Sequence, residues 1–286
     1  MTNSNSKQWS SANPGYIIFL VDQSNSMNEI YTDGVKKSVF TASVINRTIY
    51  ELVNTNMDGA SVKDRVFISI IGYGAGGNTV DEIRSDYLSK FAENPIRVEK
   101  KKQKVPDGNG GLAELEIEQP IYIEPVAEGF TPMGEAFMHA KNLIEIWLKT
   151  KPNDPAPIII NISDGIPYSG NVYNDNTEDV SLAINVANQI MKISTTDGNP
   201  LIFNAHIGVD GGTEYKFAES EQEVNSEEAK FLFKISSTIP EAYKQAAKKH
   251  DLVVKDSSRG FVSNAEPTTL IQFINFGSSG GTDKRN

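Results

Sequence analysis

The chain of 286 residues contains no cysteine, which removes disulfide bridges, thiolate metal sites and cysteine nucleophiles and fits a reducing compartment. Histidine is scarce, at three residues. His139, His206 and His250 fall in or at the ends of predicted helices and strands, away from any plausible nucleophile, and read as core or surface residues. No apolar run approaches the ~18 residues of a membrane span. The polar stretch from Met1 to Pro14 lacks the apolar segment of a secretory signal. Positive charge is in deficit, with 27 Lys and Arg against 37 Asp and Glu and a net charge of −10, so nucleic acid is repelled except at a concentrated basic patch. The one such run, Lys100-Lys101-Lys102 with Lys104, has no interleaved aromatics and reads as a solvated strand face. These absences predict a soluble, cytoplasmic protein that binds neither nucleic acid nor membrane.

What is present begins at Asp22. The apolar run Tyr16-Ile17-Ile18-Phe19-Leu20-Val21 reads as a buried strand, and it is followed at once by Asp22-Gln23-Ser24-Asn25-Ser26. In open α/β sheets, ligands bind beyond the carboxyl ends of the strands, and hard cations such as Mg²⁺ want oxygen ligands with positions left for water or substrate. A second segment, Gly129-Phe130-Thr131-Pro132-Met133-Gly134, sets a threonine just before a long helix. A third follows Ile158-Ile159-Ile160-Asn161-Ile162 and reads Ser163-Asp164-Gly165.

An Asp-x-Ser-x-Ser, a Thr-Pro-x-Gly and a strand-end Ser-Asp-Gly, in that order, resemble the metal-ion-dependent adhesion site (MIDAS) of von Willebrand factor type A (VWA) domains. The resemblance covers about residues 14 to 277. It implies that Asp22, Ser24, Ser26, Thr131 and Asp164 bind Mg²⁺, with Mn²⁺ or Ca²⁺ as substitutes. Ser24, Ser26 and Thr131 would be direct or switchable ligands, and Asp22 and Asp164 would act largely through water. It further implies binding rather than turnover, with a partner protein's Asp or Glu carboxylate completing the coordination. The stretches Phe233 to Pro240 and Arg259 to Ala265 look similar to intracellular bacterial members, whose partners include kinases, phosphatases and ATPases in stress, signalling or defence systems. The expected role is therefore a non-enzymatic adaptor or regulator.

Alternating strand and helix signals predict an α/β fold: an open, mostly parallel, doubly wound sheet with helices on both faces, a Rossmann-like three-layer sandwich. Expected helices span about Asp33–Val53, with Val35, Val39, Ala42, Ile45, Ile49 and Leu52 inward, then from Thr131, about Glu178–Ile193, about Pro240–His250 and Pro267–Phe276. Expected strands after the first are Val66–Ile71, the one ending at Asp164, Leu201–Val209 and Gly260–Ser263. Residues 1–13 read as a disordered segment, 14–277 as a single domain and 278–286 as a flexible tail. An insertion over about 78–128 contains the alternating runs Ile96–Glu99 and Glu114–Glu118 around Pro106-Asp107-Gly108-Asn109-Gly110-Gly111, a hairpin signal. It either carries partner specificity or lengthens the sheet. Asp210 to Glu228, rich in Glu, reads as a solvated acidic loop.

Each motif has a plainer reading. Thr131 before Pro132 suits a helix N-cap, and Asp22, Ser24 and Asp164-Gly165 suit ordinary turns. Gly72-Tyr73-Gly74-Ala75-Gly76-Gly77 matches the dinucleotide fingerprint, yet no convincing helix follows, so a glycine-rich loop beside the metal face is the better reading. The alternative function is a metal-dependent phosphohydrolase with Asp22 as nucleophile. That class wants a second carboxylate two residues on, where Ser24 stands, and a lysine near the third loop, which the sequence does not show.

Overall fold

The computed structural model describes residues 5–106, 112–170, 175–208, 212–249, 252–265 and 267–278. Its principal sheet contains β1 (Gly15–Asp22), β2 (Val66–Tyr73), β3 (Val80–Tyr87), β4 (Ile158–Ser163), β5 (Leu201–His206), β6 (Tyr215–Lys216) and β7 (Phe261–Ser263). Their spatial order is β6-β7-β5-β4-β1-β2-β3. The five inner strands run parallel and only the two edge strands, β3 and β6, are antiparallel to their neighbours. Strand β1 is buried along its whole length, which explains a sequence apolar at every position from Tyr16 to Val21 rather than at alternate ones.

Side chains alternate across the sheet and feed two cores. On one face Ile17, Phe19, Ile68, Ile158 and Ile160 pack with helix α1 (Lys37–Thr55) and the helix Pro267–Ser278 through Phe40, Ile45, Ile49, Phe273 and Ile274. On the other Tyr16, Ile18, Leu20, Ile159 and Ile202 pack with the helices Met133–Thr150 and Thr177–Ile190 through Phe137, Ala140, Ile144, Ala187 and Ile190. Asn161 interrupts the isoleucine run without stranding a polar group, since it accepts from the Tyr73 hydroxyl and donates to Asn204, both at 2.9 Å.

Several boundaries differ from the sequence expectation. The first helix begins at Lys37 instead of Asp33, because Ile30–Thr32 and Val35–Lys36 pair as a short antiparallel ribbon. That shift moves the buried stripe, so Val35 and Val39 are exposed while Phe40, Val44 and Ile45 face inward. Within the stretch 5–13 the chain makes defined contacts: Trp9 is 5% exposed and lies over Gly15, and Asp197 accepts the amides of Ser6 and Lys7 at 2.9 Å. The tail beyond Ser278 and His250 lie outside the described residues. Much of the acidic stretch 210–228 is structured, with β6 at the sheet edge and Phe217, Ala218 and Val224 buried.

The expected insertion is smaller than 78–128, since Val80–Tyr87 is a strand of the main sheet and Leu88–Glu93 a helix on it. What remains is a hairpin of Arg97–Pro106 against Leu112–Ile121, which forms its own two-stranded sheet instead of lengthening the main one. Its expected turn, 107–111, lies outside the described residues. Register sets Lys100, Lys102 and Lys104 opposite Glu118, Glu116 and Glu114. The hairpin base is clamped by Asn46 of α1, whose Oδ1 accepts the amides of Tyr122 and Ile123 at 2.7 and 3.0 Å.

Candidate metal centre

Strands β1 and β4 are parallel neighbours, and the sheet's connections depart in opposite directions on either side of them, so their carboxyl ends border the switch-point crevice. Register pairs Val21 with Ile162 and brings Asp22 beside Ser163. Asp22 is 1% exposed. Its Oδ2 accepts from Ser163 Oγ at 2.6 Å and its Oδ1 from the Ser24 amide at 2.9 Å. The chain then enters a short 3-10 turn, Asn25–Asn28. Ser24 and Ser26 share a hydroxyl hydrogen bond of 3.1 Å, and Ser26 Oγ donates to Asp164 Oδ1 at 2.9 Å. The two buried carboxylates are thus linked through Ser24, which donates its amide to Asp22, and through the paired hydroxyls of Ser24 and Ser26, the latter donating to Asp164.

Thr131 reaches the same face through its backbone. It exchanges hydrogen bonds with Tyr168, just beyond Asp164, at 2.8 and 3.1 Å. The loop before it lies across the first loop, with the Glu128 amide donating to Gln23 O at 2.7 Å and the Asn25 amide to Gly129 O at 3.0 Å. The glycine-rich turn completes the stack: a Cβ on Gly129 would stand 2.2 Å from Gly77 O, and one on Gly74 2.3 Å from Phe130 O. Both residues have positive φ, 65° and 107°, so glycine is required there by conformation and by space. After this turn the chain enters antiparallel β3 rather than a helix, which removes the dinucleotide reading. Thr131 is not a helix N-cap either. Pro132 holds that position and the helix starts at Met133.

Sequence reasoning missed Lys37. Its Nζ donates to Asp164 Oδ2 and to Glu29 Oε2, both at 2.8 Å, with 4% of its side chain exposed. The lysine that the sequence does not show near the third loop is therefore supplied by the first turn of α1. The expected stripe of Val35, Val39 and Ala42 hid it; only the helix start at Lys37 sets it in line with buried Phe40 and Val44, where an unpaired ammonium is too costly to occur. Burial opposes its charge, but Asp164 and Glu29 outweigh it and raise its pKa above the ordinary value. Asp22 has only neutral donors. Burial, and then the charge of Asp164, push its pKa up to about 7 against the pull of Ser163 and Ser24. His206, one strand further along, pairs with Ser163 in register and shares a 2.7 Å hydrogen bond with Ser263 Oγ. Burial brings its pKa down to about 4.

Among the described residues no three His, Cys, Asp or Glu side chains form a metal cage. The centre is instead weighted toward hydroxyls. The oxygen separations of 3.1 and 2.9 Å along Ser24, Ser26 and Asp164 match the ~3.0 Å edge of an octahedron with ~2.1 Å bonds. A small hard cation that keeps several waters fits this donor set.

No family model and no curated protein matches the chain. Among solved structures, it is similar to the PilB minor pilin from Streptococcus sanguinis, at 10% identity and a TM-score of 0.48, over 94% of this chain and 61% of that one. It is also similar to proximal thread matrix protein 1 from the mussel byssus, at 10% identity and a TM-score of 0.42, over 94% and 47%. A third is the vWF domain of the type V pili tip protein Mfa5 from Porphyromonas gingivalis, at 14% identity and a TM-score of 0.33, over 54% and 39%. The chain spans less than two thirds of the length of each.

Proposed function

We propose that this chain is a divalent-metal-dependent protein-binding module, an adaptor or regulator, in which Asp22, Ser24, Ser26, Thr131 and Asp164 hold Mg²⁺. The observation that carries this reading is the string Asp22, Ser24, Ser26, Asp164 at the switch-point crevice, joined by contacts of 2.9 to 3.1 Å. When bound, Mg²⁺ would supply a position that an external carboxylate can enter in place of water. The chain's own residues do the rest. Ser163 and the Ser24 amide fix Asp22. The paired backbones of Thr131 and Tyr168 hold the second loop beside the third. Hydroxyls leave a cation less satisfied than carboxylates would, which favours capture of an Asp or Glu from a partner. The partner class we favour is a kinase, phosphatase or ATPase of a bacterial stress, signalling or defence system.

Retention of a partner from native extract is expected with wild type in Mg²⁺, and its loss both in EDTA and with Asp22→Ala. Identical retention in all three conditions would remove the metal from the interaction. One observation favours a second reading: Lys37 beside Asp164 supplies the lysine that a phosphohydrolase needs. Release of phosphate from a generic phosphomonoester, abolished by Asp22→Asn, would establish that enzyme and displace the adaptor.

A further inference from the structure

The two oxygens of Asp164 are divided between different partners. Oδ1 accepts from Ser26 and so belongs to the hydroxyl string, whereas Oδ2 accepts from the buried ammonium of Lys37. A lysine at this depth costs more than an apolar side chain of similar length would. Packing therefore does not explain it; its charge does. We propose that Lys37 is a resident counter-cation that shares Asp164 with the divalent ion, lowers the site's affinity for that ion, and leaves the loaded centre positive so that it selects an acidic segment of the partner. This deepens the metal-site reading and rests on it.

The charges are simple. Asp22, Asp164 and Lys37 together carry one negative charge, and a divalent ion turns that into one positive charge, which Glu29, its side chain 63% exposed and screened by solvent, offsets only in part. Without Lys37 the loaded centre would be neutral. The whole chain carries −10, so an acidic partner is repelled at long range. Within a Debye length of about 8 Å the local positive charge acts instead. The remaining partner of Lys37 is Glu29, whose side chain is 63% exposed. An acidic side chain of the partner can replace Glu29 on the ammonium while a neighbouring one ligates the ion, which favours a segment with adjacent acidic residues over a lone carboxylate.

The test is a Mn²⁺ titration of the full chain read by electron paramagnetic resonance, followed by binding of a labelled oligo-glutamate peptide to the loaded protein. Lys37→Gln keeps a donor toward Asp164 and should tighten Mn²⁺ binding roughly tenfold while weakening the peptide by a similar factor. Lys37→Arg should stay near wild type in both. Glu29→Gln, on an exposed residue that does not endanger the fold, should weaken Mn²⁺ binding several-fold. Tighter metal with weaker peptide cannot arise from structural damage. Mn²⁺ affinities unchanged in Lys37→Gln and Glu29→Gln, with Asp22→Asn still abolishing binding, would overturn the proposal and leave the metal site standing. No Mn²⁺ binding by any variant would overturn both.

Discussion

The ion pairs Lys37–Asp164 in the crevice and Lys100–Glu116 in the hairpin have almost the same length, 2.8 and 2.9 Å. Their surroundings are opposite. The side chains of the first are 4% and 3% exposed, those of the second 66% and 57%. In the crevice, water cannot take over when one partner is removed, so the other is stranded as a buried charge. In the hairpin, solvent takes over and little is lost. The comparison separates two uses of charge in one acidic chain. Charge is concentrated where the apolar strands β1 and β4 end, and it is merely balanced, lysine across from glutamate, where the chain leaves the main sheet.

The strongest way to break this contrast is Lys37→Met. Without divalent ions it should lose about 3–5 kcal/mol of stability, because Asp164 keeps its charge and loses its cation. Urea unfolding in EDTA reads this directly, and Mg²⁺ should restore part of the loss. Adding Asp164→Leu should return most of the stability, since the stranded charge goes with it. A double variant no better than the single would mean that Lys37 contributes through packing.

Two buried groups in the crevice titrate with opposite sign, which gives the next effect in size. The Asp22 pKa of about 7, raised by burial and then by Asp164, lies above the ~3.9 of an unfolded chain. Its contribution is therefore fully present below ~3.9 and is lost as pH rises through about 7 in metal-free protein. His206, lowered from 6.5 to about 4 by burial, works the other way. It costs the fold on the order of 3 kcal/mol as pH falls from 6.5 to 4. Across that window the two partly cancel. Asp22→Asn should unmask the histidine, giving a steeper loss of stability on acidification in EDTA, and His206→Gln added to it should flatten the curve. A wild-type slope retained in Asp22→Asn would exclude this opposition.

The layout of the crevice was largely legible, because its residues follow strands so apolar that their ends are unmistakable. Asp22 after Tyr16–Val21 and Asp164 after Ile158–Ile162 were placed by that pattern alone, and the register then sets them on neighbouring strands. Lys37 was not legible, since its role depends on where α1 begins. The short ribbon Ile30–Lys36, too brief to leave a periodic signal, moved that start and rotated the expected stripe off Val35 and Val39. Trp9 was missed because a single aromatic in a polar segment has no period at all. The capping role of Thr131 failed for a local reason: Pro132 occupies the N-cap position itself. Thr131→Ala should accordingly cost less than the ~1 kcal/mol of a lost cap, while abolishing metal-dependent partner binding. A thermal melt with a parallel pull-down separates the two.

The smallest effect is expected at the other pole of the comparison. Lys100 and Glu116 are both more than half exposed, so each loses little hydration on pairing and spends side-chain entropy in doing so. Lys100→Ala should change stability by no more than about 0.5 kcal/mol, and raising the salt concentration should shrink even that. The hairpin keeps its footing regardless, because Asn46 of α1 clamps the amides of Tyr122 and Ile123 through contacts that carry no net charge. A loss above 1 kcal/mol in Lys100→Ala, measured by urea unfolding, would show that the hairpin's charges anchor it to the domain and would erase the contrast with Lys37. Asn46→Ala should be the costlier change of the two, since it leaves two buried amides without their acceptor.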